Sequence, residues 1–123
     1  MQTGEPRFKV KGYSEIPAVE FGEEAPGVTV RQLISKEQDG APVYNLRMIE
    51  IASGGNTPDH AHPYEHENFA VAGAGEVMVE DVWHPVSEGD VVFVPAGVRH
   101  QYRNASADVF KFLCGIPVAP PEG

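Results

Sequence analysis

The chain is predicted to be all-β, a sandwich or barrel of eight or nine short strands. Three observations carry that reading. No window of a dozen residues keeps a 3.6-residue apolar period free of Gly or Pro. The 13 glycines and 11 prolines are scattered between apolar runs, so they mark turns and not a repeat. The apolar runs are short and rich in β-branched and aromatic residues.

Taken in order, Phe8, Val10 and Gly12 alternate with lysines and suggest a short first strand within an N-terminal arm, residues 1–27. Pro17 and the acidic stretch Phe21–Gly27 then mark a loop. Val28–Ile34 is β-branched and reads as a strand. Glu37–Pro42 is a turn cluster. Tyr44–Ile51 is the next strand, with Tyr44, Leu46 and Met48 on one face and Asn45, Arg47, Ile49 and Ile51 on the other. Ser53–Asp59 is a loop. Asn68–Val71 is a strand broken at Gly73 and Gly75. Glu76–Val82 is a strand, with Trp83-His84-Pro85 at or beside a hairpin tip. Glu88-Gly89-Asp90 turns into the apolar strand Val91–Val94. Arg99–Asn104 puts His100, Tyr102 and Asn104 on one face. After a turn at Ala105–Asp108, Val109–Ile116 is the last strand, with Phe110, Phe112 and Cys114 sharing a face. Residues 117–123 form a loose tail.

At 123 residues the chain is expected to be one domain, 1–123, burying about two-thirds of its unfolded surface. Nine basic against eighteen acidic residues give a formal charge of −9, which repels phosphate backbones and anionic lipid. No nucleic-acid or membrane partner is expected. Cys114 is the one cysteine, so no internal disulfide forms. With no signal-like or membrane-length apolar run, a cytoplasmic location is expected.

Three of the five histidines fall within Gly54–Gly75, at His60, His62 and His66. On a strand, residues two or four apart leave the same face. His100 follows Pro95-Ala96-Gly97. Four neutral imidazoles delivered to one interior would make a divalent-metal site. His84 lies apart from them and reads as a surface residue.

Two spacings then become informative. Gly54, five residues, His60-Ala61-His62, three residues, His66, six residues and Gly73 form the first. Gly89, five residues, Pro95-Ala96-Gly97, two residues, His100, three residues and Asn104 form the second. Together they resemble the two motifs of the cupin superfamily. The resemblance implies a jelly-roll β-barrel. His66 stands where that family usually has Glu, so the chain is similar to the small single-domain cupins with four histidines, of the conserved-barrel type. Glu67 competes for the same slot, but spacing to Gly73 and strand parity favour His66.

The resemblance implies one divalent transition metal per chain, held by His60, His62, His66 and His100. Manganese or iron is favoured, with nickel, copper or zinc as alternatives. It also implies dioxygenase-like oxidation of a small organic molecule. The alternatives are a non-catalytic small-ligand carrier or sensor, and a metal-dependent isomerase or lyase. Tyr102 and Cys114 are the candidate catalytic residues, each weighed against a packed aromatic and an inert buried thiol. Sheet edges and an apolar outer face lead us to expect a homodimer, covered through Phe8-Val10 and the Ile49–Ile51 face.

Overall fold

The computed structural model describes residues 5–118. Its strands are β1 (Val19–Glu20), β2 (Val28–Ile34), β3 (Tyr44–Ile51), β4 (His66–Ala72), β5 (Ala74–Val79), β6 (Val82–Ser87), β7 (Val91–Val94), β8 (His100–Arg103) and β9 (Phe110–Pro117). They form two antiparallel sheets, β1-β2-β3-β9-β4-β7 and β6-β5-β8, which close as a jelly-roll β-barrel.

Side-chain alternation decides which residues fill the barrel. Val28, Val30, Ile49, Ile51, Phe110 and Phe112 from the larger sheet meet Val77, Val86 and Tyr102 from the smaller one. Ile51 and Phe110, paired across β3 and β9, are completely buried. The Ile49–Ile51 face is therefore the interior wall, and it cannot cover a partner as expected. Its opposite face carries Met48, which packs with Leu33 beneath Ile16. The chain's own N-terminal segment thus crosses the back of the larger sheet.

Several boundaries differ from the sequence reading. Phe8 and Val10 form no strand and are 93% and 86% exposed. The segment is tied instead by side-chain and backbone bonds: Lys9 to the Leu33 carbonyl at 2.6 Å, and the Arg7 N–H to the Asp39 carbonyl at 3.0 Å. The edge strand is Val19–Glu20, paired with Val30 and Thr29. The turn cluster contains one helical turn, α1 (Lys36–Asp39). Ser35 caps it by accepting from the Gln38 N–H, and Gly40 at φ 71° stops it. A second short element, a 3-10 turn, covers Tyr13–Glu15.

The hairpin between β5 and β6 turns at Glu80 and Asp81, with φ of 51° and 72°, not at Trp83–Pro85. Two consecutive positive-φ residues make the mirror-image turn that matches strand twist. Neither is Gly or Asn, which hid the turn from sequence. Trp83 and His84 lie on β6, and His84 is exposed. At the other end, Pro117 belongs to β9 and the Val118 N–H bonds the Val43 carbonyl at 2.9 Å. The rest of the expected tail lies outside the described residues.

Candidate metal centre

The loop carrying His60 and His62 is laced to the approach of β8. His60 and His100 exchange backbone hydrogen bonds of 3.1 and 2.9 Å. The Gly97 N–H donates to the His62 carbonyl at 2.8 Å, from a backbone at φ 81° that favours glycine. The shared parity of the three histidines was expected on a strand through this stretch. Only isolated bridges form there, at Asn56 and His60. Pro58 and Pro63 have no N–H to extend a ladder. Regular pairing resumes at His66, opposite Val94 on β7. From there alternation holds: His66 and Asn68 are buried, and Glu67 is exposed. Glu65 lies wholly in solvent, where its hydrogen bond to Glu67 raises its pKa. Neither carboxylate takes the fourth position.

Ring nitrogens of His60, His62, His66 and His100 all lie within 4.8 Å of one another. The His62 Nδ1 is 2.8 Å from the Tyr64 carbonyl, and the His100 Nδ1 is 2.8 Å from that of Val98. A carbonyl only accepts, so both Nδ1 atoms carry the proton and both Nε2 atoms present lone pairs. The His66 Nδ1 likewise meets the Cys114 sulfur at 3.1 Å. Tyr64 stacks on His62 with centroids 4.0 Å apart and holds that ring in place.

These orientations aim donors at one point. The Nε2 atoms of His62 and His66 are 2.9 Å apart. Two lone pairs at that distance repel unless a proton or cation lies between them. An edge near 2.9 Å is also what two neighbouring ligands of an octahedron make with bonds of about 2.1 Å. The His100 Nε2 is buried with no hydrogen-bond partner. Burial, with the neighbouring imidazoles adding, lowers the pKa of His60, His66 and His100, that of His66 to about 3. Neutral imidazole is the ligating form, so the four residues fit a divalent cation.

The histidines open into a pocket of about 100 Å³ walled by Phe21, Ile49, Pro58 and Phe112. His60 lies on its exposed side, while His66 and His100 are buried. Tyr102 is also buried and stacks on Phe112 at 4.6 Å. Its hydroxyl donates to the Asn68 Oδ1. Burial, with the Cys114 thiol adding, pushes its pKa upward, so it remains a protonated donor committed to Asn68. Cys114 is buried, between the His66 Nδ1 and the Arg47 Nη2. Asn104 closes the turn before β9: its Nδ2 donates to the carbonyls of Ile51 and Asp108, and its Oδ1 accepts from the Ser106 N–H.

Arg47, Tyr64 and Asn68 are the neighbours that sequence reasoning left unassigned. Arg47 and Asn68 each face Cys114 across a strand pair, which needs the β3-β9-β4 register to see. Tyr64 sits in irregular backbone where no periodicity applies.

The family described as the cupin domain matches residues 47–116, more than half of the chain and all four histidines. The chain belongs to the cupin family. Protein SchB of Streptomyces halstedii is 32% identical over 96 residues, covering 76% of this cupin and 70% of SchB. Among solved structures, the polyketide cyclase RemF from Streptomyces resistomycificus superposes with a TM-score of 0.87 at 27% identity. That match covers 94% of this cupin and 82% of RemF. A cupin 2 conserved barrel domain protein from Rhodopseudomonas palustris gives 0.74 at 27% identity, covering 87% and 73% of the two chains. No helix among the described residues is long and apolar enough to cross a membrane.

Proposed function

We propose that this cupin is a metal-dependent enzyme acting on a polycarbonyl compound of the polyketide class, closing a ring in it. The single observation that carries the reading is the convergence of four imidazoles, two of them with Nε2 atoms 2.9 Å apart, at the floor of a largely apolar pocket. The likeness to RemF over nearly the whole chain supplies the substrate class. His60, His62, His66 and His100 would hold one divalent metal, which would supply Lewis-acid polarisation of a pair of substrate oxygens.

The chain's own residues shape the rest. Tyr64, Cys114 and the Val98 carbonyl fix the ring planes of His62, His66 and His100. Such orienting partners are commonly worth 10- to 100-fold in metal affinity. Ile49, Phe112, Pro58 and Phe21 give the pocket an apolar wall that excludes water from a bound ligand. The pocket lining contains no carboxylate and holds the Tyr102 hydroxyl on Asn68, which disfavours isomerisation by paired acid and base groups.

Dioxygenase-like oxidation is the second reading. An all-imidazole ligand set brings no negative charge, which favours the reduced form of manganese or iron. One experiment separates the possibilities. Protein loaded in turn with zinc, manganese or iron is incubated with a linear poly-β-keto acid, with mass spectrometry and oxygen uptake as readouts. Ring closure gives a product of equal mass, or lighter by water, without oxygen consumption. Oxygen consumption with a heavier product moves the assignment to oxidation. Binding of the acid without any product makes the protein a carrier.

A further inference from the structure

Arg47 lines the pocket but is explained neither by the fold nor by the metal site. It projects from β3 inside the barrel, paired across the sheet with Cys114. Its Nη2 donates to the Cys114 sulfur at 3.3 Å. Its Nε is buried and has no acceptor among the described residues. The ion pairs found there involve Lys9, Arg31, Arg99 and Arg103, and never Arg47. No Asp or Glu lines the pocket.

That arrangement is costly unless something completes it. A buried N–H left without an acceptor forfeits the hydrogen bond it made to water in the unfolded chain. Arg47 as a whole is half-buried, and no carboxylate faces it from the pocket lining. Buried polar groups in folded proteins are otherwise almost always satisfied. An occupant of the pocket can supply the acceptor, and the charge balance states what kind suits it. The chain carries −9 overall, yet Arg47 is the one formally charged side chain in the pocket lining, beside imidazoles that burial keeps neutral. A bound divalent cation would raise the positive charge further. An oxyanion answers both the charge and the missing acceptor, and a carboxylate matches the planar guanidinium fork.

We infer that Arg47 is the carboxylate-binding residue of this pocket, so the substrate is an enolisable dicarbonyl compound carrying a free carboxylate. Cys114 is the positioning residue: its sulfur holds Nη2 and leaves Nε for the ligand. The dicarbonyl half of the statement rests on the function proposed above. The carboxylate half rests on Arg47 alone.

Calorimetric titration with acetopyruvate and its methyl ester tests it, because the two probes differ only in the anion. Zinc-loaded and metal-free protein are both used. The native zinc protein binds acetopyruvate at least tenfold more tightly than the ester, the scale of one charge-assisted hydrogen bond. Arg47→Gln removes that preference and leaves ester affinity and zinc stoichiometry in place. Arg47→Lys restores part of it. In metal-free protein both affinities fall but the acid is still preferred. Equal binding of acid and ester by the native protein in both forms overturns the inference, as does an undiminished preference in Arg47→Gln. Should Arg47→Gln fail to fold, the native ratio and Arg47→Lys decide. A protein that takes up no zinc yet prefers the acid loses its metal assignment and keeps Arg47 as the anion site.

Discussion

Removing the metal is expected to lower the melting temperature about as much as a large-to-small substitution in the barrel wall. A ligand that binds only the folded state stabilises it by about 4 kcal/mol when present at a thousandfold excess over its dissociation constant. For a chain of this size each kcal/mol moves the melting temperature by roughly 3–5 °C, so chelation should lower it by roughly 12–20 °C. The structure supplies a reason for a large gap. Without a cation, a proton on the His66 Nε2 must bridge to the His62 Nε2 at 2.9 Å, and the His100 Nε2 stays unpartnered. His66→Ala separates the contributions. It removes one candidate ligand, the 3.1 Å contact to Cys114 and the 2.9 Å contact to the His62 ring. The variant should lose more than half of the metal-dependent gap while its metal-free melting temperature moves by only a few degrees. Differential scanning calorimetry with zinc and with chelator reads both quantities. A melting temperature that chelation leaves within a degree of its starting value, in protein shown to contain metal, refutes the four-imidazole site.

Metal-free protein should also weaken as pH falls. Unfolded histidine protonates near 6.5, whereas burial and the neighbouring imidazoles lower folded His66 to about 3. Between those values the unfolded state binds more protons, so stability present above 6.5 is lost toward 3. A urea midpoint unchanged between pH 7.5 and about 5 contradicts this. Gly73→Ala and Gly97→Ala form a matched pair, with φ of 78° and 81°. At Gly73 a Cβ would lie 2.2 Å from the Val109 carbonyl oxygen, whereas at Gly97 it would meet nothing within 4 Å. Gly97→Ala should cost about 1 kcal/mol and Gly73→Ala clearly more, and equal urea midpoints would remove the steric argument. Sedimentation should return the mass of two chains, and Phe8→Glu with Val10→Glu should shift it toward one, since both side chains are almost fully exposed. A native sample that sediments at 13.3 kDa ends the dimer expectation.

Sequence pattern reached far into the site. The spacings around His60, His62, His66 and His100 bring the rings together even though the first two lie on irregular backbone. The irregular loop mattered little because backbone bonds from His100 and Gly97 pin it from outside. Parity from His66 onward put His66 inside and Glu67 outside, which is how regular β4 places them. Alternation on β3 also separated Met48 from Ile49 and Ile51. It could not say which face was inside, since both faces are apolar and both are covered.

Local pattern therefore determined most of the strands, the glycine turns and the grouping of His60, His62 and His66, while His100 was joined to them through the resemblance of the two spacings to the cupin motifs. Only the tertiary structure decided that Arg47, Asn68 and Cys114 share one patch of the interior wall. The physical reason is register. Arg47 and Cys114 are 67 residues apart, and nothing in either segment specifies which rung of the ladder it will meet. Closing the sheet into a barrel sets that rung, and with it the guanidinium's place beside the histidines.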